Sequence, residues 1–260
     1  MVLFSLLYVA FSAAIAAAAS LQRVTNFGNN PTGINMHIYV PDRVAADPAI
    51  IVATPNMSNC WDVHSPASLT HGSGGDAAGI ISMVTYTLQT YNGDAARVYV
   101  MGFSSGGMMT NVMAGSYPEV FEAGAAFSGT AHACFAGVPS ATPFSPNQTC
   151  AQGLSHTPEE WGNFVLNSYP DYTGRRPRMQ IWHDLADTLV RPQCASEALK
   201  QWSNVLGETF TRNATGVPSG QWTQSLYGDG TRLQGFFGQD VGHAAQINEE
   251  TLLRFFGILS

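Results

Sequence analysis

Short apolar runs recur along the chain, each bounded by Gly, Pro, Asn or Asp. NMHIYV (Asn35–Val40) reads as a strand stopped by Pro41, and AIIVA (Ala49–Ala53) as a short apolar strand. Helical spacing follows over Asp76–Tyr91, where Ile80, Met83, Val84, Thr87 and Leu88 share one face and Asp76 is placed to cap. RVYVM (Arg97–Met101) is a buried-type strand that runs directly into Gly102, and Met108–Ser116 is a helix ended by Tyr117-Pro118. Ala123–Phe127 and Arg178–Trp182 read as strands, with loop over Cys134–Cys150. Pro158–Asn167 and Ser196–Leu206 read as helices, the latter with Trp202 and Leu206 inward. Gln221–Phe237 holds two strands, and Glu249–Phe256 a last helix. Strands alternating with helices predict an α/β fold with a mostly parallel sheet covered on both faces. With no internal repeat and no linker, residues 21–260 read as a single domain.

The first twenty residues stand apart. MVLFSLLYVAFSAAIAAAAS is apolar from Val2 to Ala19, broken only by Ser5 and Ser12, and ends in small residues. The alternative is a membrane anchor, since the apolar part is just long enough to span. The alanine-rich end resembles a cleavage region more, so 1–20 is expected to be a signal peptide and the protein to be secreted. Charge is sparse: 11 Lys+Arg against 18 Asp+Glu give a net −7 with no basic cluster, which argues against nucleic acid as a partner. A neutral polysaccharide stays open. In a secreted chain the four cysteines read as disulfides, since none has C-x-x-C spacing. Cys134–Cys150 closes a short Pro/Ser-rich loop, which leaves Cys60–Cys194 as the second pair. Asn-x-Ser/Thr sequons at Asn56, Asn147 and Asn213 are glycosylation candidates.

The chemistry concentrates at Gly102-Phe103-Ser104-Ser105-Gly106. It fits G-x-S-x-G, and a strand enters it while a helix leaves it, the frame a nucleophile elbow needs. Ser104 is the candidate nucleophile, and the Ser105 backbone N–H a candidate oxyanion donor. A base and an orienting acid are expected later in the chain. His243, in Asp240-Val241-Gly242-His243 before the last helix, is the candidate base. Two acids compete after the strand RMQIW, in His183-Asp184-Leu185-Ala186-Asp187, and Asp187 is favoured. His183 is expected to pack or hydrogen-bond nearby. His64, His71 and His132 fall in loops and read as structural or surface histidines. Trp61 reads equally as a lining for a sugar or aryl group and as a packed residue. Neither an H-E-x-x-H nor a phosphate-loop pattern occurs, so no metal and no cofactor are expected.

These residues carry a resemblance. The segments CWDVHSPASLTHGSGGDAAGIISMV, VYVMGFSSGGMMTNVMAGSYPEVFEAGAAFSG, TCAQG, TPEEWGN, YPDYTGRRPRMQIWH and VGHAAQ resemble the secreted acetylxylan and feruloyl esterases of carbohydrate esterase family 1, relatives of polyhydroxybutyrate depolymerases. The resemblance covers most of the chain beyond Cys60. It implies an α/β-hydrolase fold, a triad of Ser104, Asp187 and His243, no cofactor, and ester-decorated plant xylan as substrate, with acetyl release ahead of ferulate release. A monomer is expected. A non-catalytic secreted carbohydrate-binding protein is the rival reading. Two departures stand out. Asp184 occupies a position where the family commonly has glycine. After Ala53 the chain runs Thr54-Pro55-Asn56-Met57-Ser58-Asn59-Cys60, where the family has a loop that helps build the oxyanion hole, a helix and a strand. One βα unit is therefore expected to be missing.

Overall fold

The computed structural model describes residues 20–55, 60–137, 147–244 and 247–260. The expected signal peptide and the Asn56 sequon lie outside them, except for Ser20. Among the described residues, no helix is long and apolar enough to cross a membrane.

A seven-stranded sheet organises the chain in the order β3-β4-β5-β6-β9-β8-β7. Its strands are β3 (Ile50–Thr54), β4 (Val98–Phe103), β5 (Ala123–Phe127), β6 (Arg178–Asp184), β7 (Phe210–Thr215), β8 (Thr223–Tyr227) and β9 (Leu233–Gly238). The five from β3 to β9 pair in parallel, and β8 and β7 add an antiparallel flank. This is the α/β-hydrolase architecture the sequence predicts.

Alternation along each strand sorts side chains to two faces. Val98 and Val100 of β4, with Met179 and Ile181 of β6, meet a core built with α2 (Gly75–Tyr91), α3 (Ser105–Ser116), α5 (Pro158–Leu166) and α6 (Gln193–Leu206). Tyr99, Phe127, Trp182 and Phe236 face the other way, toward Leu252, Phe255 and Phe256 of α7 (Glu249–Phe256). Trp182 stacks on Phe236 with ring centres 3.8 Å apart. All twelve residues of α3 are buried, so this helix runs through the protein rather than along its surface. Helix starts use local capping. Thr157 and Glu160 form a capping box on α5, with Pro158 in the first turn. Asp76 is not the cap of α2. Gly74 takes that position, and the Asp76 carboxylate accepts the Asp62 N–H instead, at 2.8 Å.

The missing βα unit leaves its mark at one edge. Among the described residues, β1 (Leu21–Val24) and β2 (Met36–Tyr39) pair only with each other, apart from the main sheet. β3 therefore ends the sheet, with β4 on one side and an open edge on the other. Ile51 is 40% exposed there, the consequence expected when a strand loses its neighbour.

Cys134 and Cys150 form a disulfide, as expected. The Cys60–Cys194 bridge is not formed. Cys194 lies buried at the start of α6, where its thiol donates to Cys150 O (3.2 Å) and Ala151 O (3.5 Å). Burial pushes this thiol up to about 12, so it stays protonated. Cys60 sits instead beside Trp61, near the start of α3. Of the sequons, Asn213 is exposed on β7. Asn147 caps the short helix α4 (Gln148–Ala151), and its Nδ2 donates to Cys134 O at 3.4 Å.

Candidate active site

Four segments that follow the C-terminal ends of parallel strands converge on one place, where open α/β sheets bind their ligands. β4 delivers Ser104. The strand ends at Phe103, Ser104 adopts φ 57° and ψ −121°, and Ser105 opens α3. A positive φ is unfavourable for a residue with a Cβ and recurs at functional sites. The turn is held by Ser104 N–H donating to Phe127 O of β5 (2.9 Å) and by Met108 N–H donating to Ser104 O (3.0 Å). It is also too tight for side chains on either side. A Cβ at Gly102 would lie 2.1 Å from Thr54 Oγ1, and one at Gly106 would lie 1.6 Å from Thr54 O. The two glycines of G-x-S-x-G are thus there to let β3, β4 and α3 touch.

His243 comes from the loop after β9. Its Nε2 is 2.9 Å from Ser104 Oγ, and its Nδ1 is 2.8 Å from Asp187 Oδ2. With Nδ1–H donating to the carboxylate, the Nε2 lone pair faces the serine hydroxyl and can take its proton. The ring lies 5.1 Å from the Phe103 ring, and the His243 carbonyl accepts the Ser128 hydroxyl at 2.9 Å.

Asp187 follows β6, fully shielded from solvent. Its Oδ1 accepts the N–H groups of Leu189 (2.9 Å) and Val190 (3.0 Å). Its Oδ2 accepts from His243 and, at 3.1 Å, from His183 Nε2. Burial alone pushes this carboxyl up, but the hydrogen bonds from His183, His243, Val190 and Leu189 outweigh it and hold the group well below the usual carboxylate range. Asp187 is therefore a fixed negative charge beside the imidazole. His183 is the member of the cluster to which the sequence assigned no defined role. It is entirely buried, and its Nε2–H also reaches Val190 O at 2.8 Å. Asp184, the competing acid, turns its carboxylate to backbone N–H groups rather than to the imidazole.

Ser105 Oγ accepts the Trp61 N–H at 3.4 Å, so this serine points away from the base. Its own N–H, at the first position of α3, has no partner within the helix. Trp61 is half-buried against the main core, and its indole N–H donates to Pro55 O (3.0 Å). It therefore ties the end of β3 to the start of α3. The other histidines lie elsewhere. His71 stacks on Tyr169, and its Nδ1 donates to Ser116 O. His132 is buried against Ser168 Oγ. His64 sits beside Asp62. Among the described residues, no group of three or more His, Cys, Asp or Glu side chains is placed to hold a metal ion.

The arrangement can move a proton from a serine hydroxyl to an imidazole steadied by a buried carboxylate, the requirement for acyl transfer. Comparison with known proteins agrees. The prolyl oligopeptidase family model matches residues 71–210, a span that holds Ser104 and Asp187. Feruloyl esterase B of Neurospora crassa is 62% identical, over 98% of this chain and 99% of its own length. Feruloyl esterase B of Thermothelomyces thermophilus is 59% identical, over 98% and 99%. The chain belongs to the feruloyl and acetylxylan esterases of carbohydrate esterase family 1. Within the serine hydrolases described by the prolyl oligopeptidase model, it is a serine esterase. The solved structure of an acetyl xylan esterase from Aspergillus awamori superposes with a TM-score of 0.87 at 37% identity, covering 92% of this chain and 100% of that one. The Neurospora alignment runs over 288 residues, longer than the 260 of this chain. That relative therefore carries at least 28 positions without a counterpart here, in keeping with the missing βα unit.

Proposed function

We propose that this esterase releases ferulate from ester-decorated plant cell-wall polysaccharide, with Ser104 as nucleophile, His243 as general base and Asp187 as the orienting acid. Identity near 60% to two feruloyl esterases B, end to end, carries the reading, against 37% to the acetyl xylan esterase structure. This reading puts ferulate ahead of acetate, the reverse of the order that the resemblance implies.

In the first half-reaction, His243 Nε2 takes the Ser104 proton as Oγ attacks the ester carbonyl. The tetrahedral oxyanion accepts the Ser105 N–H. Its collapse breaks the ester C–O bond, and His243 returns the proton to the leaving sugar hydroxyl. Water, deprotonated by His243, then attacks the acyl-serine; collapse breaks the acyl–Oγ bond, His243 returns the proton to Ser104 Oγ, and the acid is freed. Secretion, a single catalytic domain over 21–260, a monomeric state and glycosylation at Asn213 belong to the same reading. The apolar leader and the exposure of Asn213 support the first and the last.

Turnover of methyl ferulate, acetylated xylan and p-nitrophenyl acetate by the purified chain and by Ser104→Ala tests this. Ferulate release that disappears in Ser104→Ala is expected. Acetate release alone would favour the acetylxylan reading, to which the fold match with the Aspergillus awamori structure also points. Glycan binding without any turnover would sink both.

A further inference from the structure

Asp184 is the last residue of β6 and has no exposure to solvent. It lies opposite Gly238, the last residue of β9, in the parallel register. Beyond Gly238 the chain passes through two left-handed residues, Asp240 (φ 69°) and Gly242 (φ 76°), on its way to His243. The Asp184 carboxylate is fully engaged by backbone. Oδ1 accepts Ala186 N–H (2.8 Å) and Gly242 N–H (3.0 Å), and Oδ2 accepts Val241 N–H (3.2 Å). Ala186 immediately precedes Asp187, and Gly242 immediately precedes His243. One oxygen atom thus ties together the peptides that present the acid and the base, 56 residues apart in the chain. A Cβ at position 238 would stand 2.9 Å from Asp184 Oδ2, so the glycine there leaves room for the carboxylate.

We infer that Asp184 is a positioning residue for the esterase reaction: its carboxylate fixes the loop that carries His243 to the turn that carries Asp187. Burying a carboxylate is costly unless its oxygens are matched by donors, and here three N–H groups supply the match. Both carboxylate oxygens are needed for this task. Three N–H donors converge on two acceptor oxygens, and an amide in the same place offers one oxygen and turns an NH2 group against a donor. Among the described residues, the other contacts of His243 are the Ser128 hydroxyl on its carbonyl, the tilted Phe103 ring, and the imidazole's own bonds to Asp187 and Ser104. An asparagine keeps one oxygen on Ala186 and Gly242 and turns its NH2 group against the Val241 N–H; a loop pushed off at position 241 lets the imidazole drift from Ser104, and a misplacement of about 1 Å in such a site costs on the order of a hundredfold in rate. Substrate binding, which does not involve Asp184, is left alone.

The inference rests on the assignment of Ser104, Asp187 and His243, and the experiment separates the two. Asp184→Asn and Ser104→Ala are compared with the parent for kcat and KM on methyl ferulate or p-nitrophenyl acetate, and for the rate of serine labelling by an aryl fluorophosphonate. The far-downfield proton resonance of an imidazole N–H bonded to carboxylate is recorded for each. For Asp184→Asn we expect kcat and labelling to fall about a hundredfold, KM to stay unchanged, and the resonance to broaden or vanish. A folded Asp184→Asn variant with parental kcat, labelling and resonance, beside an inactive Ser104→Ala, overturns the role of Asp184 alone. Full hydrolysis by Ser104→Ala overturns the triad and this inference with it. Hydrogen exchange on the parent gives a readout independent of how the variants fold. The amides of Ala186, Val241 and Gly242 are expected to be protected as a group, and fast exchange at Val241 and Gly242 also overturns the inference.

Discussion

Asp187→Asn is the sharpest perturbation of the site, because the structure counts four donors on that carboxylate. Leu189 and Val190 N–H hold Oδ1 at 2.9 and 3.0 Å, while His243 Nδ1 and His183 Nε2 hold Oδ2 at 2.8 and 3.1 Å. An asparagine of the same shape has one oxygen. The two backbone N–H groups belong to a tight turn and cannot rotate, so the oxygen stays with them and the NH2 group faces the imidazoles. His243 must then accept at Nδ1, which moves its proton to Nε2, 2.9 Å from Ser104 Oγ. A base that donates to its nucleophile is in the wrong tautomer. Loss of this kind reaches about 10⁴ in kcat, or about 5.5 kcal/mol at 1.36 kcal/mol per factor of ten. The interaction is made in the transition state and not with bound substrate, so kcat and kcat/KM fall together and KM holds. The second consequence is thermodynamic. His183 Nε2–H, with no exposure, keeps Val190 O at 2.8 Å but loses its bond to the Asp187 carboxylate, and a lost hydrogen bond to a charged group costs about 1.5–3 kcal/mol. Steady-state kinetics on an aryl ester together with urea unfolding read both numbers. A folded Asp187→Asn enzyme within tenfold of parental kcat would refute the reasoning.

Other positions give equally direct expectations. Gly106→Ala places a methyl 1.6 Å from a backbone oxygen that cannot yield; destabilisation of about 3 kcal/mol or more is expected from overpacking, and a urea midpoint equal to the parent's would contradict it. His132 is buried, and desolvation lowers it from 6.5 to about 4. Between those values the unfolded chain binds a proton that the folded chain refuses, so stability rises with pH there. Moving from pH 7 to pH 5 should remove about 2 kcal/mol through this residue. His132→Gln should lack that component, and identical pH dependence of the urea midpoint in the two proteins would rule it out. On the proposed role of the Ser105 N–H, a site with that one oxyanion donor among the described residues lacks about 3 kcal/mol of transition-state stabilisation. kcat on a common aryl ester is therefore expected about 10²–10³ below that of the Neurospora crassa relative, and equal rates would show that another N–H stands in.

Much of the fold is legible because burial and periodicity coincide. Ala123–Phe127 and Glu249–Phe256 have the bounds that their apolar patterns give. The elements that escape reading lack such a pattern. β7, FTRNAT, is exposed along nearly its whole length, and β1, LQRV, is largely exposed too. Neither shows a hydrophobic period. β6 is misjudged in the opposite way. Its apolar run stops at Trp182, but the strand continues through His183 and Asp184, both fully buried. Two ionisable residues read as the start of a loop. They stay in the strand because distant partners receive them, Val190 O and Asp187 for the histidine and the N–H groups of residues 241 and 242 for the acid. Contacts of that range leave no local trace. The same holds for the cysteines. Assigning Cys60 and Cys194 to each other by elimination assumes that every thiol is bridged, and the α4 carbonyls offer Cys194 another partner.

The absent βα unit bears on the site unevenly, and the strand order explains why. Ser104, Asp187 and His243 follow β4, β6 and β9, and each of these strands is hydrogen-bonded on both sides. The elbow is braced further by β5 through Phe127 O and by Thr54, whose hydroxyl donates to Met101 O (3.0 Å) and Gly106 O (2.9 Å). Shortening the chain beyond β3 removes support only from the edge of the sheet, and the proton relay keeps its 2.8 and 2.9 Å contacts. The charge-stabilising half of the site does not share that protection. Its expected second donor comes from the stretch that follows β3. There the strand is succeeded at once by Pro55, which has no N–H to give. Thr54 is buried at the strand end with its hydroxyl already spent on two carbonyls. The edge strand thus carries the cost of the shortening in the apolar surface it exposes at Ile51, and among the described residues that follow it at once Pro55 offers no N–H to an oxyanion.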